Sequence, residues 1–369
     1  MLLNDVTLRE GDQMPGRDYS VEAKVAAGKA LDDLGVGFVQ AGFPVTGEKD
    51  REAIRRLSAE TDAPTVALAR SVAGDVDAAL DAEADVVEVI IPLSERQLEY
   101  ALGNSREEAT AMAREAVDRA VDGGAEAHVS LVDAFRTDPE HLVAFAERFA
   151  DVPYITLADT VGARAPPSVA SLLADVERAV GLDRIGVHFH DDVGLATANA
   201  LTAYQAGVAR ADVSVASLGE RAGNPALEEV VVAGATEYGS SFGVDERRLV
   251  PTCEAVLDHL GESVEPRKGI LGEEVTEHES GIHTAAMLRE PSVFEPFDPA
   301  EFGGERRLLF GRGTGRSAAR VLLERVGVEP TPDHVETLLD ALAREGPMGT
   351  DEALAFTDAQ FADTEFTDR

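Results

Sequence analysis

Cysteine is nearly absent from this chain. The single Cys253 excludes an intramolecular disulfide and any metal cluster built on thiolates. Lysine is almost as scarce, occurring only at positions 24, 29, 49 and 268, so nearly every other cation is an arginine. Basic residues number 33 against 69 acidic ones, a formal net charge of −36 at pH 7. No basic stripe exists to neutralise phosphate, which argues against nucleic acid or an anionic membrane surface as a partner. Such acidity repels itself in dilute buffer and is screened in strong salt, so a protein of a salt-rich cytoplasm is expected. No apolar run approaches the about 18 residues that span a bilayer. The N-terminus runs directly into LLNDVTL without the pattern of a signal peptide, and a cytoplasmic location follows as the expectation.

With 369 residues, 44% of them hydrophobic, the chain can bury a barrel-sized core and a smaller partner domain. Eight short β-rich runs recur along the first 216 or so residues. They are LLNDVTL (2–8), GFVQAG (37–42), TVALAR (65–70), VVEVIIP (86–92), EAHVSLV (126–132), PYITLAD (153–159), IGVHFH (185–190) and ADVSVAS (211–217). Helix-like stretches rich in Ala, Leu, Glu and Arg separate them, among them SVEAKVAAGKALDDLG and SREEATAMAREAVDRAVDGG. Alternation of this kind implies a parallel sheet, and eight units are the number that closes a (β/α)8 TIM barrel. The alternative is an open doubly wound sheet. Its nucleotide-binding version is weakened because neither GxGxxG nor a P-loop pattern follows the first run.

In a barrel the chemistry gathers at the C-terminal strand ends. Strand one leads to Thr7, Arg9, Glu10 and Gln13, strand two to Gln40, strand three to Arg70 and strand five to Ser130. Strand six leads to Asp159 and Thr160, strand seven to His188, His190 and Asp191, and strand eight to GERAGN (219–224). Histidines at i and i+2 share one face of a strand, as two ligands of one ion need. A carboxylate from strand one would complete a two-His, one-carboxylate site with open positions. Each piece alone has a plainer reading: a hydrogen-bonded histidine, a solvated turn, an Arg–Glu ion pair.

From residue 251 the strand–helix beat is lost. Pro251, Pro266 and Gly269 punctuate a connector, and GRSAARVLLERVGV and TPDHVETLLDALARE read as amphipathic helices of a compact tail. The boundaries expected are a barrel over 1–250 and a linker with mostly helical C-terminal subdomains over 251–369. The last residues, FADTEFTDR, are expected to fray. His278 and His283 of HESGIH lie in this appendage, as surface polar groups or, for His283, as an acid or base.

The segments DVTLREGDQMPG, AGFPVTGEKD, LADTVG, HFHDDVGLATANAL, GERAGNPALEEVV, HESGIH and FGRGTGRSAARVLLERVG occur in a fixed order. With them the chain resembles the homocitrate synthase/2-isopropylmalate synthase/citramalate synthase family of metal-dependent barrel acyltransferases, from residue 3 to about 330. The resemblance implies a Claisen condensation of acetyl-CoA with a 2-oxo acid, on a divalent metal (Mg2+, Mn2+ or Zn2+) that polarises the ketone. It implies Glu10, His188 and His190 as ligands with Asn224 close by, Arg9 at the ketone oxygen, and Gln13, Ser130 and Thr160 at substrate-contacting positions. His283 matches the histidine that abstracts the methyl proton, contributed across a homodimer interface, and Glu279 would orient it. Leucine feedback is not expected, since the length leaves no room for the regulatory domain.

Several positions depart from the family pattern. Glu10 stands where most relatives have Asp, although homocitrate synthases share the Glu. Gln40 replaces a Glu, Gln97 a His, Val132 a Glu, Asp191 an Asn and Phe294 a Tyr. His128 occupies the position of an arginine that in homocitrate synthases holds the distal carboxylate of 2-oxoglutarate, and with Gln97 it argues against that substrate. Gln40, Gln97 and Val132 together would strip two negative charges and an imidazole from the mouth. The choice among 3-methyl-2-oxobutanoate, pyruvate and other 2-oxo acids stays open. So do a lyase of the same superfamily, which the HESGIH and GTGRSAARVLL segments oppose, and a metal-binding paralogue with little catalysis.

Overall fold

The structure is a computed structural model and describes residues 1–362. The frayed end expected at the C-terminus lies almost entirely outside the described residues. Eight parallel strands close into a barrel in sequential order, which removes the open-sheet alternative. They are β1 (Leu2–Asp5), β2 (Phe38–Gly42), β3 (Thr65–Arg70), β4 (Val86–Pro92), β5 (Glu126–Val132), β6 (Ile155–Asp159), β7 (Ile185–Phe189) and β8 (Arg210–Val213). Eight helices alternate with them: α1 (Val21–Leu34), α2 (Glu48–Glu60), α3 (Ala73–Asp81), α4 (Arg106–Asp122), α5 (Pro139–Arg148), α6 (Pro166–Val180), α7 (Ala196–Ala206) and α8 (Leu227–Tyr238). The barrel shuts where Leu2 to Asp5 pair in register with Arg210 to Val213.

The first run is shorter as a strand than its apolar pattern suggests. Asp5 accepts the backbone N–H of Thr7 at 2.9 Å, a local bond that turns the chain. Thr7–Glu10 is therefore a helical turn on top of β1, followed by the tight turn Gly11–Gln13. Helix starts follow their caps. Ser20 Oγ accepts from Ala23, and Ser105 with Glu108 forms a reciprocal capping box.

Strand parity sorts the core. Residues pointing outward from the sheet, such as Leu3, Val39, Ala67, Val87, Val129, Leu131 and Ala211, are fully buried under the helices. Residues pointing inward are apolar at the bottom, where Phe38, Val66 and Val86 cluster with Tyr154, and again at Leu68, Ile90 and Ala158. Much of the rest of the interior is polar: Asn4, Gln40, Glu88, His128, Thr156, Arg210 and Asp212 are all within 3% of complete burial.

The compact unit that contains the barrel runs to Val264, not to 250. A ninth helix, α9 (Leu249–Leu260), buries Leu249, Cys253, Val256 and Leu257 and packs against α1, so residues 251–260 belong to the barrel unit and not to a connector. The second unit, Glu265–Arg369, holds α10 (Gly281–Met287), α11 (Arg316–Arg325), α12 (Pro332–Glu345) and α13 (Thr350–Phe361). Phe310, Leu322, Leu323, Leu338, Leu342 and Phe361 form its core.

Asp5 is a fully buried acid. Burial, and then the nearby charges of Glu228 and Asp212, push its carboxyl up to about 7, against opposing hydrogen bonds from Thr7. Its folded value lies above its unfolded one, so it favours the fold at low pH and loses that contribution as pH rises from about 4 through 7. We expect Asp5→Asn to flatten this loss. Its stability relative to wild type should rise with pH across that window, by at most about 1.4 kcal/mol per unit. Denaturant unfolding of both proteins at pH 5 and pH 8 measures it, and an unchanged difference would remove the assignment.

Candidate metal centre and active site

Glu10, His188 and His190 each offer one ligand atom within 4.8 Å of the others, and all three are buried. Their origins are separate. His188 is the fourth residue of β7 and His190 lies just beyond its end, on the same face. Glu10 hangs over the mouth from the turn after β1. That turn is pinned by charge: Asp12 takes Lys24 Nζ at 2.9 Å and Lys49 Nζ at 2.8 Å, and accepts from the Tyr19 backbone at 2.8 Å. Lys24, wholly buried, also meets Asp50 at 2.6 Å.

Each imidazole has its Nδ1 side occupied. Asp212 Oδ2 holds His188 Nδ1 at 2.9 Å, and the carbonyl of Asp159 lies 3.4 Å from His190 Nδ1. This is the arrangement that aims Nε2 at a metal. His188 Nε2 sits 3.6 Å from Glu10 Oε1. Three buried polar atoms here, Glu10 Oε2, His190 Nε2 and Asn224 Oδ1, have no hydrogen-bond partner. Buried polar atoms without partners are costly unless something else satisfies them. Two imidazoles, a carboxylate and an amide oxygen are a donor set that fits a divalent cation.

Electrostatics agree with that fit. Burial works to raise the Glu10 carboxyl, but Arg9 and the two imidazoles outweigh it and the net shift is downward. Burial and then the charge of His188 push His190 down to about 4, keeping it neutral. For His188 burial pulls down, yet the bond and charge of Asp212 carry it upward.

Arg9 donates through Nη1 to Glu10 and, at 3.3 Å, to Gln13, and through Nε to Gln40 at 2.6 Å. Beside Arg9 and Gln13 opens a cleft of about 510 Å³ lined by Phe43, Thr46 and Lys49. Ser130 lies on the inner face of β5, in register with Thr156 of β6. Thr160 Oγ1 accepts the Asp133 backbone N–H at 2.8 Å and keeps its own proton to donate. Asn224 lies on the metal-facing side of His188, its Nδ2 3.4 Å from His188 Nε2 and donating to the Phe189 carbonyl at 3.0 Å.

Three expectations about neighbouring residues change. Gln40 does not open onto the mouth; it is buried and bonded at both ends, to Arg9 and to Glu88 at 2.7 Å. His128 is wholly buried one layer below Ser130, with Nδ1 taking Arg210 at 2.8 Å and Nε2 meeting Glu126 at 2.7 Å. It has no nitrogen left for a substrate, and the argument it carried against 2-oxoglutarate lapses. Glu279 is not paired with His283: its Oε1 accepts the Gly313 backbone N–H at 3.1 Å, and among the described residues no hydrogen bond joins the two. His283, in α10, instead stacks on Phe294 with ring centroids 4.1 Å apart. Asp191 caps α7, accepting the Ala196 N–H at 2.7 Å. The sequence reading missed Asp212, Arg210, Glu88 and Asn4; each is a polar residue inside a strand, at inward parity.

A parallel eight-stranded barrel with such a donor set at its C-terminal mouth defines a metal-dependent barrel enzyme. Residues 1–256 match the HMGL-like family, and residues 270–346 match the homocitrate synthase post-HMGL domain-like family. The homocitrate synthase AksA of Methanopyrus kandleri is 40% identical over 349 residues, 94% of this chain and 88% of that one. A protein of the same organism named as a 2-isopropylmalate synthase is 40% identical over 350 residues, 94% of this chain and 70% of that one. Among solved structures, the hydroxymethylglutaryl-CoA lyase of Pseudomonas aeruginosa has the same fold, with a TM-score of 0.62 at 23% identity over 71% of this chain and 93% of that one. The chain therefore belongs to the HMGL-like family, on the branch that carries a homocitrate synthase-type post-HMGL domain.

One divalent ion per chain is the expected stoichiometry. Metal analysis of a variant combining His188→Ala with His190→Ala should fall to near zero; full retention would put the site elsewhere.

Proposed function

We propose that this chain is an acyltransferase of amino-acid biosynthesis that condenses acetyl-CoA with a 2-oxo acid, in the manner of homocitrate, 2-isopropylmalate and citramalate synthases. The observation that carries this reading is the Glu10–His188–His190 cluster, with Arg9 bonded to its carboxylate. The names of the relatives support it, and the post-HMGL segment supports a synthase over a lyase.

A divalent ion (Mg2+, Mn2+ or Zn2+) held by Glu10, His188 and His190 would supply Lewis acidity to the ketone of the 2-oxo acid. The residues of the chain do the rest. Arg9 places a second cation where the ketone oxygen gains negative charge, the preorganised arrangement that lowers such a barrier most. Gln13, Ser130 and Thr160 supply hydrogen bonds that orient the acid in the cleft. His283, contributed across a homodimer interface, takes the proton from the acetyl methyl group, and its stacking on Phe294 restricts the ring. The methyl carbon bonds to the ketone carbon, the oxygen collects a proton, and water then cleaves the thioester to release CoA thiol. Asn224 lies beside His188 Nε2, where its amide oxygen would complete the ligand side of the site.

Thiol release in molar potassium chloride, against 2-oxoglutarate, 3-methyl-2-oxobutanoate and pyruvate, tests the reading. Wild type should release CoA with one of them. His283→Ala should lower turnover by at least ~10²-fold, the loss typical of removing a positioned base, with the 2-oxo acid KM little changed. No release with any acid by a metal-loaded protein would reject the synthase. Unaltered turnover of His283→Ala would reject only that residue's role.

We also propose that the protein works in a salt-rich cytoplasm, supported by its net charge of −36. The melting temperature should rise between 0.1 and 3 M potassium chloride, as the Debye length shrinks to about 3 Å near 1 M. A melting temperature independent of salt would remove this part.

A further inference from the structure

We propose that Gln40 and Glu88 are positioning residues that fix the guanidinium of Arg9 at the metal centre, and that position 40 must be an amide because a carboxylate stands at 88. The inference rests on the reading above for what Arg9 does, but not for how it is held.

The geometry is a single buried chain of hydrogen bonds. Arg9 Nε donates to Gln40 Oε1 at 2.6 Å, Gln40 Nε2 donates to Glu88 Oε2 at 2.7 Å, and Arg210 Nη2 donates to Glu88 Oε1 at 2.7 Å. The orientation of the amide is forced by its neighbours. A guanidinium can only donate and a carboxylate can only accept, so Oε1 must face Arg9 and Nε2 must face Glu88. Glu88 has no room to turn away, because its second oxygen is held by Arg210. That arginine is in turn held by Thr156 Oγ1 at 2.6 Å and His128 Nδ1 at 2.8 Å, and lies over the rings of Phe38 and Tyr154 at 5.6 and 5.4 Å. With Nε taken by Gln40 and Nη1 by Glu10 and Gln13, the plane of the Arg9 guanidinium is determined. Among the described residues none takes a hydrogen bond from its remaining Nη2, which is the group left to meet a ligand.

The departure at Gln40 from the family pattern then has a physical reason. A carboxylate at 40 would set two acceptors face to face at the 2.7 Å now spanned by the amide N–H. The negative charge that the chain needs is present at Glu88, one link further from Arg9.

The reversal of the chain is the test. Gln40→Glu alone opposes acceptor to acceptor, and Glu88→Gln alone opposes a donor either to Gln40 Nε2 or to Arg210. The double variant Q40E/E88Q restores every bond with the same net charge, running Arg9 to carboxylate, amide to carboxylate, and Arg210 to amide oxygen. Each single variant should lose at least tenfold in kcat, with the KM for acetyl-CoA within twofold of wild type. Each should also weaken calorimetric binding of oxalate, a stand-in for the carboxylate–ketone pair, to the Mg2+-loaded protein by at least fivefold. Metal stoichiometry should be unchanged in all three. The double variant should return both readings to within threefold of wild type. Single variants within twofold of wild type in both readings overturn the proposal, as does a double variant no better than the singles. If a single variant does not fold, the folded double variant decides alone: within threefold supports the proposal and a larger loss overturns it. A wild type that releases no CoA would sink the functional reading, while the oxalate arm would still decide how Arg9 is held.

Discussion

The hydrogen bond between Asp212 and His188 is the interaction on which the mouth of this barrel depends. It fixes which imidazole nitrogen carries the proton and turns the other toward Glu10 and His190. A carboxylate at that depth is expensive to hold in its charged form, and a lone one would take up a proton instead. Asp212 stays charged because Asn4 Nδ2 donates to its other oxygen at 2.8 Å and Arg210 lies 3.9 Å away. Burial pushes its carboxyl up, but His188 and Arg210 bring it below the ordinary range. Removing Arg210 would leave a charge uncompensated in the barrel interior, the situation that costs about 3–5 kcal/mol in buried pairs.

That requirement spreads through the interior. Arg210 is needed beside Asp212, Glu88 is needed to balance Arg210, and Gln40 joins Glu88 to Arg9, which returns to Glu10. The circuit comes back to the metal ligands from which it set out. A barrel interior is ordinarily filled by layers of branched apolar side chains. Here stability resides on the outer side of the sheet, where Leu3, Val39, Val87, Val129 and Leu131 are buried against helices. Above the apolar floor of Phe38, Val66 and Val86, much of the space enclosed by the strands holds charge in place.

Much of this was legible in the sequence, and the gaps have physical causes. The alternation of apolar runs and helical stretches located all eight strands, because a parallel sheet covered by helices writes a near-continuous apolar signature. LLNDVTL misled at its end, since Val6 and Leu8 continue the apolar pattern after Asp5 has turned the chain; the Asp-x-Thr spacing was the available signal. The HxH pair fixed its own face by parity. Depth could not be read. His128 and Ser130 share a face of β5, yet two residues along a strand are about 6.6 Å apart. That distance separates a substrate contact from a buried partner of Arg210. Glu88 and Asp212 were visible as acids inside apolar runs, but their partners come from strands far away in sequence, which one-dimensional periodicity does not encode. The compact unit runs past 250 to Val264, because Pro251 sits within the first turn of α9 and marks a helix start, not a linker.

The loop after β8 shows what holding the ligands demands of the backbone. Ala216, Ser217 and Arg221 all adopt positive φ, at 53, 61 and 58°, a conformation costly for residues with a Cβ. The loop cannot relax, because both its ends are tied to the site. The Gly223 carbonyl accepts the Asp191 N–H at 2.8 Å, next to His190, and Glu228 accepts the Ala216 N–H at 3.0 Å. Between these ties, a Cβ on Gly219 would fall 2.4 Å from Asn224 Oδ1 and 3.3 Å from Glu10 Cβ, so only a glycine lets loop, amide and ligand carboxylate converge. One on Gly223 would fall 1.6 Å from the Ser217 carbonyl oxygen. Strain in the loop and charge beneath the ligands therefore serve one constraint: both hold the donor atoms close around a shared centre, at a cost that the apolar outer layer of the sheet offsets.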